Sequence, residues 1–277
     1  MNPDEYCRQK AAPGGSSLYY AFLFLPPACR QAITALYALR RELEEIAGEC
    51  PDAQLALTRL AWWRLEVGRL FEGNPSHPVT KALRPFTGKY QIGAEQLAEI
   101  IGAMETDLAQ TRYLDFAGLE RHCDHSAGTL GLLAARIFGY QDPRTLEYAR
   151  GLGIALQLTS IICNVGEQAR RNRIYLPMDE LKKFDVPAAD ILQARHSDGF
   201  VELMKFQTAR AGDFFRKALD ALPAEDRRSQ RAGLIMAAIC RATLAEVERD
   251  GFRVLTHRTA LTPLRKFWLA WKTWVSN

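Results

Sequence analysis

The sequence predicts an all-α protein, a helical bundle without a substantial sheet. Three observations carry that expectation. Apolar residues recur at i, i+3 and i+4 spacing along almost the whole chain. Alternating Val/Ile/Thr-rich runs bounded by Asn-Gly or Asp-Gly turns are absent from it. Breakers fall at intervals that leave room for helices between them.

In chain order, Pro13-Gly14-Gly15 ends a short opening segment and Pro26-Pro27 announces the next helix. There Leu36, Leu39, Leu43 and Ile46 form an apolar stripe. Gly73-Asn74-Pro75 and the stretch from Gly139 to Pro143 separate the following segments. Leu152, Leu156, Thr159 and Cys163 repeat the stripe in the middle of the chain, and that helix is expected to run straight on into Arg170, Arg171 and Arg173. After breaks at Pro177, Pro187 and Pro223, Leu234 to Val247 makes a third long helix.

The 277 residues are 48% hydrophobic and 25% charged, which excludes wholesale disorder and low complexity. No linker or internal repeat divides them, so residues 1–277 read as one domain. The net charge of +4 is too mild to indicate a nucleic-acid partner. Its distribution is uneven: from Gly251 onward there are five cations and no acid, so the rest carries −1. Six cysteines without a CxxC pair read as reduced thiols of a cytoplasmic protein. No signal peptide or membrane span is expected, because the longest uncharged apolar stretch, Gly151 to Cys163, is too short. No G-x-G-x-x-G follows a strand, so no NAD(P)H site is expected.

Two segments concentrate polar side chains. Tyr37, Arg41, Glu44, Glu45 and Gly48 share a helix face; a solvated charged surface and a polar pocket both fit it. Gln157, Ser160, Asn164 and Gln168 line an otherwise apolar helix, where each buried polar group needs a partner. The arginines that follow suit a phosphorylated ligand, or they complement a helix C-terminus. His122 and His125 lack a third and fourth metal ligand and read as a local pair. The tail from Arg265 to Trp274, with three Trp and three cations, either lies at a membrane interface or docks on the core.

The stretches 16–48, 61–71, 103–140, 152–177 and 261–271 resemble, in this order, the squalene/phytoene synthase family of head-to-head isoprenoid synthases. Within it the chain is most similar to bacterial presqualene diphosphate synthases of hopanoid-type pathways. The resemblance implies an all-α isoprenoid synthase fold with a central cavity. It also implies two Asp-rich motifs on facing helices that hold Mg²⁺ against substrate diphosphates, here two farnesyl diphosphates. Tyr37, Arg41 and Gln157 would be catalytic groups; Ser17, Arg170, Arg171, Arg173 and Tyr175 would bind substrate. Glu44, Glu45, Asn164, Glu167 and Gln168 would face the metal.

The departures fall on that chemistry. A family motif D-D-x-x-D reads Glu44-Glu45-Ile-Ala-Gly48, and N-x-x-R-D-x-x-E-D reads Ser160, Cys163, Asn164, Glu167 and Gln168 at its fixed positions. At positions 44, 45, 48, 164 and 168 five carboxylates become two. Cys240 stands for a late-helix Tyr; Ser17 is kept, while Gly15 replaces a polar residue. Mg²⁺ demands near-octahedral oxygen ligation at ~2.0–2.1 Å, so Glu105 and Asp107 would have to compensate together with Glu167. Two outcomes are therefore expected from the sequence. One is a presqualene diphosphate synthase, peripheral to the inner membrane through its tail. The other is a catalytically impaired relative that keeps the fold as a binding or assembly module.

Overall fold

A computed structural model describes residues 1–50 and 52–277, Glu49 by its backbone alone. Among them there is no strand, only an isolated bridge between Arg112 and Ile174. Among these residues fifteen α-helices follow one another. The first six are α1 (Pro3–Ala11), α2 (Ser17–Phe22), α3 (Pro27–Glu49), α4 (Ala53–Glu72), α5 (Pro78–Thr87) and α6 (Ala94–Ala109). Then come α7 (Phe116–Cys123), α8 (Thr129–Phe138), α9 (Arg144–Cys163), α10 (Val165–Arg170) and α11 (Met178–Lys183). The chain ends with α12 (Ala188–Leu192), α13 (Asp198–Ala221), α14 (Arg231–Arg249) and α15 (Pro263–Ser276).

Local chemistry sets these boundaries. Ser16, Asp52, Asp115, Ser197 and Thr262 each accept a backbone N–H of the helix they precede. Proline opens α1, α3, α5 and α15, where its missing N–H costs no helical bond. The breaks at Pro26-Pro27, at Gly139 to Pro143 and at Pro187 fall between helices, as expected.

One expectation fails. The mid-chain helix does not run on to Arg173: α9 ends at Cys163, and Asn164 leaves helical geometry at φ −113, ψ 16. The short α10 restarts at Val165, and its backbone lies against the Arg253–Leu255 turn. A Cβ on Gly166 would lie 2.1 Å from the Leu255 carbonyl oxygen. Asn172 then takes φ 55, which turns the chain toward Tyr175.

The apolar stripes are buried where their periodicity placed them. Leu36, Leu39 and Leu43 are sealed in a cluster with α1, α4, α5, α6 and α8. In the mid-chain stripe Leu152 and Thr159 are buried, whereas Leu156 and Cys163 are only half-buried; Leu152 belongs to a second cluster with α13 and α14, against which Leu156 and Cys163 pack. The two meet along α8 and α9, whose backbones touch: a Cβ on Gly131 would sit 2.2 Å from the Ala149 oxygen, and one on Gly153 2.1 Å from that of Ala127. Just before α8, residues Asp124–Gly128 form a π-turn.

Candidate functional site

Helices α2, α3, α8, α9 and α14 surround a chamber walled by Phe22, Leu130, Phe138, Leu152, Leu156 and Met236. Tyr37 and Arg40 line it from α3. Tyr37 packs edge-on against Phe22 at 5.5 Å between ring centroids, and burial raises its hydroxyl pKa. The chamber holds about 40 Å³. Pockets that take drug-sized ligands run to about 300–1,000 Å³, so the interior of this one is nearly closed.

The edge of the chamber between α3 and α9, its mouth, carries an arginine of the lining that sequence reasoning passed over. Arg40 Nε donates to Glu44 Oε1 at 2.6 Å and its Nη2 to Gln157 Oε1 at 2.6 Å, joining α3 to α9. Burial disfavours the Arg40 charge, but Glu44 and Tyr37 outweigh it and hold the guanidinium pKa above its ordinary value. Arg41, the arginine expected inside, is half exposed and donates to Glu44 Oε2 at 3.3 Å. Both follow Tyr37 by about one turn, and only the contact with Gln157 decides between them.

The other expected ligands disperse. Glu45 does not join Glu44. It turns to α1 and takes Lys10 Nζ at 2.5 Å, while Lys10 also lies 3.0 Å from Glu42. Asn164 folds its amide back to donate to the Ser160 carbonyl at 2.8 Å. Ser160 is exposed, not part of a buried stripe, and Gln168 stands on the separate helix α10. Glu167 accepts from Arg171 at 3.2 Å. Gly48 has Arg171 against it: a Cβ there would lie 2.8 Å from its Nη1. Ser17 opens α2, outside the chamber lining, and Arg170 is exposed at the end of α10.

Glu105 and Asp107 are engaged elsewhere too. Arg64 grips Glu105 with two bonds of 2.8 and 2.7 Å. Asp107 anchors a closed knot: the Tyr175 hydroxyl donates to it at 2.5 Å, Arg173 pairs with it, and Arg173 Nη2 reaches the Ala47 carbonyl at 2.7 Å. Burial first, then Asp107, raises the Tyr175 pKa. Arg173 and Tyr175, expected to meet substrate, thus tie the 173–175 segment to α6 and the end of α3. His122 Nε2 lies 3.9 Å from Asp107, whereas His125 faces Glu99. Burial pushes the Cys240 thiol up to about 12, so it stays protonated at neutral pH.

This donor set does not fit Mg²⁺. Both Glu44 oxygens already accept from guanidinium groups, Glu45 is paired with a lysine, and position 48 offers a cation in place of a ligand. A hard dication needs several free anionic oxygens converging on one point. Among the described residues, no three His, Cys, Asp or Glu side chains converge in that way.

The squalene/phytoene synthase family matches residues 11–265. Phytoene synthase of Arthrospira platensis is 31% identical over 275 residues, covering 95% of this chain and 89% of that protein. 15-cis-Phytoene synthase of Synechococcus elongatus is 32% identical, with the same shares covered. Among solved structures, a dehydrosqualene synthase bound to ligand superposes with a TM-score of 0.86 at 21% identity, covering 99% of this chain and 96% of the other. Squalene synthase HpnC from Alicyclobacillus acidocaldarius gives 0.77 at 24%, covering 90% and 94%. At those identities the structures establish the fold.

Proposed function

The chain belongs to the squalene/phytoene synthase family, and on that premise we propose that it is a catalytically silent member retained as a binding or assembly module. The family joins prenyl diphosphates head to head and is generally Mg²⁺-dependent. The reaction at issue is the condensation of two farnesyl diphosphates to presqualene diphosphate. One allylic C–O bond must ionise and release diphosphate, the second chain's double bond attacks the allylic cation to give a new tertiary cation, and loss of a proton from that cation closes the cyclopropane. Ionisation demands strong neutralisation of the departing diphosphate.

One observation carries the reading. Arg40 bridges Glu44 and Gln157 across the mouth of a chamber of about 40 Å³. Neither two isoprenoid chains nor a metal cluster finds room or ligands there. The test is incubation of the purified protein with farnesyl diphosphate and Mg²⁺. No diphosphate release and no cyclopropyl product are expected, and steady turnover would overturn the reading.

A specific observation favours the second reading, a working presqualene diphosphate synthase. Arg41, Arg170 and Arg171 reach solvent, with Arg171 beside Gly48, and guanidinium groups hold diphosphate without metal. The same assay separates the two readings.

A membrane surface is the partner we propose for α15. No helix among the described residues is long and apolar enough to cross a membrane. Trp274 stacks on Phe24 at 5.2 Å and docks that end, but Leu264 (83%), Trp268 (55%) and Trp271 (43%) stand exposed. With five cations and no acid from Gly251 onward, this face suits anionic lipid. Trp268→Ser with Trp271→Ser should lower co-sedimentation with anionic vesicles and leave Tm unchanged. Equal co-sedimentation would exclude the membrane role.

A further inference from the structure

We infer that Arg40 is a bolt: its guanidinium ties α3 to α9 at the mouth of the chamber without metal, and keeps isoprenoid chains out of apolar walls that would otherwise accept them. The inference deepens the silent reading and rests on it. Its first support is geometric. The planar fork of Arg40 spends one N–H on a carboxylate of α3 and another on an amide oxygen of α9, both at 2.6 Å. A guanidinium satisfies one carboxylate and one neutral carbonyl well, whereas Mg²⁺ does not.

The second support is the chamber itself. Its lining is aromatic and aliphatic from Phe22 to Met236, the surface an uncharged isoprenoid prefers, yet only about 40 Å³ is open. Arg40 is the charged residue in that lining. The third support lies about two turns further along α3. There Arg171 occupies the space a side chain on Gly48 would fill, so a second guanidinium lies against the same motif.

Farnesol is the probe, because it has the chain without the diphosphate and needs no metal to bind. Arg40→Ala should bind farnesol about tenfold more tightly than the unsubstituted protein, followed by tryptophan fluorescence, as expected from losing two hydrogen bonds across the mouth. Gln157→Ala leaves Arg40 in place but removes its far anchor and should shift affinity in the same direction. Gln157→Glu strengthens the bridge and should keep farnesol binding weak. Equal affinity in all four proteins would overturn the bolt, as would tight binding by Gln157→Glu. Melting in excess MgCl₂ and in EDTA should give one Tm; a saturable rise with MgCl₂ would overturn the metal-free closure. Turnover of farnesyl diphosphate is a separate readout, so loss of the silent reading and loss of the bolt are distinguishable.

Discussion

The buried carboxylates of the scaffold and those of the chamber mouth are held in opposite ways. Glu66 on α4 is fully buried and accepts from the Ser76 and His77 backbone N–H groups and from the Ser76 and Thr80 hydroxyls, at 2.6 to 2.8 Å. Asp226 accepts from the Gln141 and Asp142 N–H groups and from Thr145, closing the link between α8 and α9 onto the start of α14. Fixed, neutral donors make the short bonds to both, and Arg69 adds a longer contact of 3.3 Å to Glu66. On α3, Glu44 at the mouth and Glu45 facing α1 are held by Arg40, Arg41 and Lys10, long side chains that are themselves partly exposed. Scaffold anions are thus built into the backbone. Mouth anions are neutralised by cations that substitution can remove while the fold stays.

That contrast breaks first at Glu66. Glu66→Ala would strand two backbone donors and two hydroxyls, and should cost about 4 kcal/mol by chemical denaturation. A loss below about 1 kcal/mol would place Glu66 with the mouth residues. The acid limb of stability gives the same test without mutation. Burial pushes this carboxyl pKa up, but hydrogen bonds from His77, Ser76 and Thr80 outweigh it and hold it at about 2, from an ordinary 4.5. As pH falls the unfolded chain therefore takes up the proton first. About 3 kcal/mol, complete above roughly pH 4.5, should be lost progressively toward pH 2, and Glu66→Ala should flatten that slope.

Asp107 sharpens the comparison, because it was expected at the metal site and behaves as scaffold. It is buried and bears Arg173 and Tyr175. Asp107→Asn keeps the shape and removes the charge facing a buried guanidinium, which should cost about 3 kcal/mol. A neutral substitution, measured by urea midpoint, would return Asp107 to the group of replaceable mouth anions.

The division also explains what the sequence made legible. Periodicity placed Leu36, Leu39 and Leu43 in the core, because a buried stripe is written every third or fourth residue. Polar partners are written nowhere locally. Lys10 meets Glu45 across 35 positions, and Arg173 meets Asp107 across 66. Arg40 and Arg41 flank the same face of α3, and a residue 117 positions away selects between them. The break at Asn164 had no proline or glycine at its own position to announce it. Just beyond it the backbone of Gly166 comes against Leu255, a contact 89 positions away that nothing local announces. The degraded motifs were visible as residue types, whereas the cations that took their place were visible only once the helices met.

The smallest expected effect tests whether the mouth lacks ligands or is filled with competing cations. Gly48→Asp, Asn164→Asp and Gln168→Asp together restore three carboxylates, and on ligand count alone Mg²⁺ affinity should rise steeply. Geometry argues against that. A carboxylate at position 48 would meet Arg171, whose Nη1 lies 2.8 Å from the Cβ site. At position 164 the substitution removes the amide that donates to Ser160, and Glu44 still carries both arginines. The triple variant should therefore gain less than about tenfold in Mg²⁺ affinity, measured by calorimetry with a diphosphate analogue present. Adding Arg40→Ala should raise the gain further, because it frees one Glu44 oxygen without supplying any new ligand. If the triple variant alone binds as tightly as the quadruple, competition by the chain's own cations is wrong, and the mouth differs from the scaffold only in what it has lost.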